Sequence, residues 1–324
     1  MNKPNLFRYA TSELSQDAFL CWFLSWADPQ YCKVDEALHQ CALSFLKSLF
    51  SKHGKSLPTV NKVEITKQDS HIDVLCIVND EFVVLIEDKT KTREHSDQLS
   101  RYFNEIKGRT YEVDNILPIY FKTFDQSCYR SIESNGYKVF SRKDFLDVLN
   151  KGDKINDSIF LDFRRHLQEI EKKVNSYLTT PPETWSGQAW AGFYMHLQKE
   201  LGAGGWKYVA NPSGGFMGFW CFGRDVDNSE VYVQLEEQQL CIKIKVPDKE
   251  LRKTERSRWY KEIKNKAEQN GINLAKPSKF GLGKYMTVLV DQTDYISMNK
   301  EGCVDILDTV NNLRRVDKLL DLLE

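Results

Sequence analysis

HIDVLCIVNDEFVVLIEDK, residues 71–89, decides the fold. Two β-branched apolar runs, about 71–78 and 82–89, flank Asn79-Asp80, residue types that enter the left-handed backbone region a tight two-residue turn requires. The stretch therefore predicts an antiparallel hairpin. Side chains alternate along an extended strand, so Glu87 and Lys89 project from one face and Asp88 from the other. Antiparallel pairing about the turn brings Asp73 roughly opposite positions 86–88. Neighbouring strands lie ~4.8 Å apart, close enough for Asp73 and Glu87 to share Mg²⁺ at ~2.1 Å, with waters and the Asp88 carbonyl as further ligands. Phosphodiester hydrolysis asks for a nucleophilic water, a cation on the non-bridging oxygen, and positive charge where negative charge grows. Lys89 supplies the last of these.

Upstream, SQDAFLCWFLSWA (15–27) places Phe19, Trp22, Phe23 and Trp26 on one helical face, with Ser12 or Ser15 as N-cap and Glu13 and Asp17 near the positive end of the dipole. A second helix is expected over about 34–52, and TVNKVEITKQ (59–68) alternates like a strand. Downstream, KTREHSDQLSRYFNEIKG (91–108) returns to helical spacing, capped by Asp97 or Ser96, with Leu99, Tyr102, Phe103 and Ile106 on one face and Gly108 as the stop. NILPIYFKT (115–123) and GYKVF (136–140) read as strands, the latter entering a helix capped at Ser141. The order is ααβββαββα. A longer helix over about 157–178 carries Ile159, Phe163, Leu167 and Ile170 on its buried side, and Pro181-Pro182 marks a domain boundary.

The Ile72-Asp73 pair followed by Glu87-Asp88-Lys89 resembles the signature of the PD-(D/E)XK nuclease superfamily, with isoleucine in place of the proline. Gln98 and Tyr102, at i and i+4 on one helical face, match the Q-x-x-x-Y element of several branches. ATSELSQDAFLCWFLSWAD (10–28) resembles the N-terminal helix of a bacterial branch in which an early glutamate, here Glu13, approaches the metal. The resemblance covers residues 6 to about 150. It implies an α/β (α+β) fold with a mixed central sheet flanked by helices, restriction-endonuclease-like, and metal-dependent cleavage of DNA, less often RNA, in defence, restriction or repair. Asp73 and Glu87 would bind Mg²⁺ or Mn²⁺ with help from Glu13, while Lys89 stabilises charge and aligns water. Gln98 and Tyr102 would position the substrate strand or the lysine. Asp69, His71 and Asp88 are further polar residues near the same strands, and Asp17 reads as structural. A competing reading is a catalytically inactive nuclease fold that binds nucleic acid or a protein partner.

The expected division is a nuclease domain over 1–178 and an α+β module over 183–324 of unknown ligand. That module reads as a helix ended by glycine, two or three antiparallel strands through GFMGFWCFG (215–223), EVYVQLEE (230–237) and QLCIKIKV (239–246), a charged helix over 249–269, a strand over about 285–290 and a helix over about 301–323. Arg252, Lys253, Arg256, Arg258 and Lys261 could track phosphates with Trp259 or Tyr260 as a stacking face, but interleaved Glu255 and Glu262 favour a solvated helix. Gly202, Gly204, Gly205, Gly214 and Gly215 read as turns, not phosphate loops. The module leaves room for nucleic-acid binding, a regulatory ligand or a homodimer contact.

With 41% hydrophobic and 28% charged residues among 324, the chain has the composition of a globular protein, not of a disordered one. A formal net charge of -1 excludes a polyanion-binding surface spread over the whole chain, so any nucleic-acid contact is local. Eight cysteines without C-x-x-C spacing, mostly within apolar runs, read as small buried hydrophobes. No signal segment opens the chain and no apolar run reaches a membrane span, so a reducing cytoplasm and no membrane partner are expected.

Overall fold

A computed structural model describes residues 3–94, 97–212 and 214–323, which form two compact units, Met1–Glu171 and Lys172–Glu324. The division falls ahead of Pro181-Pro182, where the sequence suggested it. The turn after the long helix, Asn175–Leu178, belongs by its packing to the second unit: Gly192 lies so close to the Val174 carbonyl that a Cβ there would sit 2.0 Å from the oxygen. Among the described residues no helix is long and apolar enough to cross a membrane.

The first unit runs α1 (Glu13–Ser25), α2 (Glu36–Lys52), β1 (Val63–Asp69), β2 (Ile72–Val78), β3 (Phe82–Lys89), α3 (Gln98–Lys107), β4 (Ile116–Lys122), α4 (Arg130–Ser134), β5 (Lys138–Ser141), α5 (Arg142–Leu149) and α6 (Ser158–Val174). Its sheet has the order β1-β2-β3-β4-β5, antiparallel from β1 to β3 and parallel from β3 to β5. Asn79 and Asp80 both take positive φ, 55° and 58°, and the Glu81 N–H donates to the Val78 carbonyl at 3.1 Å. This is the backbone of a type I′ turn, whose twist suits a hairpin. Asn79 also fixes the turn through its side chain, accepting from the Asn61 N–H at 2.8 Å and donating to the Thr59 carbonyl at 2.8 Å.

Alternation on the central strands builds two cores. Leu75, Val83 and Leu85 face α3 and α4, where Leu99, Tyr102, Ile106, Ile132 and Tyr137 close over them. On the other side lies an aromatic cluster: Phe145 is fully buried, with ring centroids 4.6 Å from Phe45 and 5.0 Å from Phe121, while Phe19 stacks on Phe163 at 3.7 Å. Helical phase is where the sequence reading slips. On α1 the deepest residues are Phe19, Leu20, Phe23 and Leu24, and Trp22 and Trp26 are only half-buried. On α6 Ile159 is 39% exposed and Phe160 takes the buried place beside Phe163, Leu167 and Ile170. Ser12 is the N-cap of α1, accepting from the Ser15 N–H. Asp97 precedes α3 without a side-chain cap bond, and Ser96 lies outside the described residues. Gly108 ends α3 in the right-handed region, at φ -72°.

The second unit runs α7 (Gly187–Leu201), β6 (Gly205–Val209), β7 (Phe216–Val226), β8 (Ser229–Glu236), β9 (Gln239–Lys245), α8 (Arg252–Gln269), β10 (Leu274–Ala275), β11 (Tyr285–Asp291), β12 (Ser297–Met298), β13 (Val304–Asp305) and α9 (Ile306–Leu320). Gly202 closes α7 at φ 66°, a left-handed cap that glycine adopts without a Cβ penalty. Six strands form its antiparallel sheet, in the order β10-β11-β9-β8-β7-β6; the sequence showed β7, β8, β9 and β11 but not β6 and β10. The short strands β6 and β10 at its edges lack the length that makes a pattern readable. Val231, Val233 and Leu235 face the core with Trp190 and Phe193 of α7, Trp259 of α8 and Leu313 of α9. Trp259 is therefore core, fully buried, and offers no stacking face. Of the basic residues on α8, Arg258 pairs with Asp227 at 2.7 Å, and Arg256 donates to the Phe280 and Gly281 carbonyls, both at 2.7 Å. The last helix starts at Ile306 because Asp305 caps it, accepting from the Asp308 N–H.

Phe145 touches rings from α1, α2, β4, β5 and α6, so its removal leaves a cavity that no single element can collapse into. Phe145→Ala is expected to cost about 3–5 kcal/mol in urea unfolding. A loss below ~1 kcal/mol would show that the cluster is loosely packed.

Candidate active site

The β2–β3 register pairs Val74 with Ile86 and Leu75 with Leu85, and one further step sets Asp73 opposite Glu87. Both carboxylates continue the α3-facing side of the sheet. Ile72, in the place of the motif's proline, is fully buried in the core beneath them. Asp73 Oδ2 accepts the Asp88 N–H at 2.9 Å, which locks the two strand ends together. Across from Asp73 on β1, Gln68 sits at φ 58° with its Nε2 3.5 Å from Asp73 Oδ1. A left-handed glutamine is a costly conformation, and here it lies beside the acids.

Lys89 curls back over the pair. Its Nζ donates to Glu87 Oε1 and, at 3.0 Å, to the Asp88 carbonyl, and lies 3.7 Å from Asp73 Oδ2 and 3.9 Å from Glu13 Oε2. The start of α1 thus meets the start of β2 and the end of β3. Its other oxygen accepts from the Thr90 N–H at 3.0 Å and from the Thr90 and Thr92 hydroxyls. Gln98 donates to the Tyr102 hydroxyl at 3.1 Å, so the two form a pair on α3. Among the described residues, neither makes a hydrogen bond to Asp73, Glu87 or Lys89.

Burial dominates the electrostatics. Glu87 is fully buried, and desolvation, followed by the neighbouring Asp73 charge, pushes its carboxyl up to about 8 against the pull of Lys89. Burial also raises Asp73. Burial thus disfavours having both acids ionised side by side without a cation. Burial pushes Glu13 up as well, but the Thr92 and Thr90 hydrogen bonds and Lys89 outweigh it and leave the carboxylate below its ordinary range. For Lys89, burial is outweighed by Glu87, Asp73 and Glu13, and the ammonium is held more firmly than usual.

Two features were not legible beforehand: the burial of Lys122, and the buried acid pair that Asp88 forms on the face it was expected to take. Lys122, paired in register with Lys89, is 2% exposed, and its ammonium is held by the Thr90 carbonyl at 2.8 Å and by that of Thr92. Burial lowers it to about 8. A charged residue ending the apolar run ILPIYFK was the available signal. On the opposite face of β3, Asp88 is fully buried against Asp17 and accepts from Gln16, and burial drives Asp17 up to about 6 and Asp88 well above the usual carboxylate range. Asp88 thus belongs to the other layer. Asp69 pairs with Arg109 at 2.7 Å, and His71 is exposed in the β1–β2 turn at φ 71°.

A mixed sheet flanked by helices, with acids and a lysine at the open end of its central hairpin, defines a restriction-endonuclease-like fold. Residues 4–180, more than half of the chain, match the family model of the PD-(D/E)XK nuclease superfamily, and the protein belongs to that superfamily. Membership carries a nuclease-type hydrolase function with nucleic acid as substrate, and nucleases of this superfamily typically use divalent metals. No curated protein and no solved structure matches the chain.

A carboxyl raised by folding stabilises the protein fully below its unfolded value and loses that contribution as pH rises through the folded value. For Glu87 the window runs from 4.5 to about 8. Glu87→Gln is expected to reduce the fall in unfolding free energy across that window by ~2–5 kcal/mol, read from denaturation midpoints in chelator. An unchanged slope would mean that Glu87 is ionised in the fold.

Proposed function

We propose that the first unit is a Mg²⁺- or Mn²⁺-dependent deoxyribonuclease in which Asp73 and Glu87 hold the metal and Lys89 serves the scissile phosphate. The supporting observation is Glu87 itself: its Oε2 is buried without a hydrogen-bond partner among the described residues, at the spot where Asp73, Glu13 and Lys89 converge. A hard cation suits such an oxygen. Among the described residues no group of three or more His, Cys, Asp or Glu side chains encloses a metal position. Two carboxylates, with Glu13 alongside, suit Mg²⁺, which keeps several waters and is usually bound by one or two carboxylates.

When bound, the metal supplies Lewis-acid polarisation of the phosphoryl oxygen. The protein's part is positioning and charge. Glu87 and Asp73 would hold the cation, whose charge favours their ionised forms. Lys89 would direct its ammonium to the phosphate and the attacking water. Glu13 is held by Thr90 and Thr92 at the edge of the same pocket, from which it assists directly or through water. Gln98 and Tyr102 act as a pair on the substrate side. In this reading residues 1–178 form the nuclease domain, and 183–324 a module with its own ligand. DNA is preferred to RNA on the superfamily resemblance as a whole; the homodimer weighed from the sequence gains no support from the family match.

Asp73→Asn, Glu87→Gln and Lys89→Ala are each expected to lower Mg²⁺- or Mn²⁺-dependent cleavage of DNA by about 10²–10³-fold or more, with circular dichroism unchanged. Chelator is expected to abolish cleavage by the parent protein. Undiminished cleavage in all three variants would overturn the assignment. Salt-sensitive binding that persists in chelator, with no cleavage under any metal, would favour a silent binding module.

A further inference from the structure

The face of the second unit's sheet turned away from α7, α8 and α9 forms a groove of about 1040 Å³. Strand register lays out its floor: Trp220 lies opposite Gln234, and Tyr232 opposite Lys243. Two irregularities bend the strands around it. The β7–β8 register shifts between Cys221 and Arg224, where Phe222 takes φ 57°, and the β11–β9 register shifts between Thr287 and Leu289. Bulges of this kind curve a strand and re-aim its side chains.

Trp220 owes its position to a glycine. Gly205 is its cross-strand neighbour on β6, and a Cβ there would stand 3.0 Å from the indole Nε1. Charge on this face is balanced at all but one point. Lys243 pairs with Glu236 at 2.9 Å and Lys245 with Glu230 at 2.7 Å. Lys207 is exposed, its ammonium 5.6 Å from the Trp220 ring centre, with no carboxylate partner among the described residues.

We propose that this groove binds a nucleobase bearing a phosphate, the base stacked on Trp220 with its edge toward Gln234 and the phosphate held by Lys207. A ring face accepts any base, and Gln234, which gives one amide N–H to Glu236 at 2.9 Å, keeps its other N–H and its oxygen for a base edge. One unbalanced ammonium matches one phosphate. The two carboxylates beside it oppose the continuous phosphate track of a duplex. The volume is at the upper end for a small-ligand site, about 300–1,000 Å³. Two sources offer this chemistry: a free nucleotide and one unit of a single strand. The proposal needs no catalysis by the first unit, so it stands or falls separately from the nuclease reading.

The test uses the full chain in chelator, titrated with AMP by calorimetry and with a fluorescent single strand of deoxyadenosines by anisotropy. At least one probe is expected to bind. Trp220→Ala is expected to weaken it about tenfold or more, and Lys207→Glu several-fold with a shallower salt dependence. Lys207 is exposed, so its variant keeps the test open if Trp220→Ala fails to fold. Binding of AMP identifies a free nucleotide as sufficient, and binding of the strand alone identifies a polymer. Binding of neither probe, or binding that both variants leave unchanged, overturns the proposal.

Discussion

Two acids brought face to face away from water, with one ammonium to balance them, set the terms for the whole first unit. Left to themselves, Asp73 and Glu87 would repel and draw solvent between the strands. They stay because the strands beneath them cannot part. Leu75, Leu85 and Ile72 are packed under α3, and the aromatic cluster closes the opposite layer. Lys89 bridges the acids from above. The loop that follows it is fastened by Lys122 through the Thr90 and Thr92 carbonyls, and the same two threonines hold Glu13. One side chain on β4 therefore helps to place a carboxylate on α1.

The hairpin was legible because three local signals agreed: alternation, an Asn-Asp turn, and apolar strands running into charge. Register then follows from the turn, and with it the meeting of Asp73, Glu87 and Lys89. Features set by neighbours distant in the chain were not legible. A helix with apolar residues around most of its circumference, such as α1, does not reveal its phase, so Leu20 and Leu24 were overlooked in favour of Trp22 and Trp26. Ile159 and Phe160 differ by one step, about 100° on a helix, and only packing decides between them. Lys122 ends a readable strand, but the carbonyls that hold it belong to another loop and leave no local pattern. Gln98 and Tyr102 were readable as a pair, but what they face was not.

The second unit illustrates a different limit. Its β8 strand alternates so regularly that the inner face could be read off, yet the outer face has no motif at all. What shapes the groove there is an absence, the missing side chain at Gly205, together with backbone irregularity at Phe222. Neither leaves a periodic trace. On the charged α8 the interleaved acids were the better guide than the basic residues: Arg258 spends its charge on Asp227, Glu255 and Glu262, although the turning of Trp259 into the core was not legible.

The middle residue of Glu87-Asp88-Lys89 looks like a spacer, but its backbone N–H is spent on Asp73 while its side chain is buried with Asp17 and Gln16. Position 88 therefore belongs to two layers at once. A larger residue there would disturb the packing behind the sheet and, through the same peptide unit, the aim of an acid in front of it. A change at 88 would therefore be felt both on the first helix, at 16 and 17, and at the acid across the hairpin.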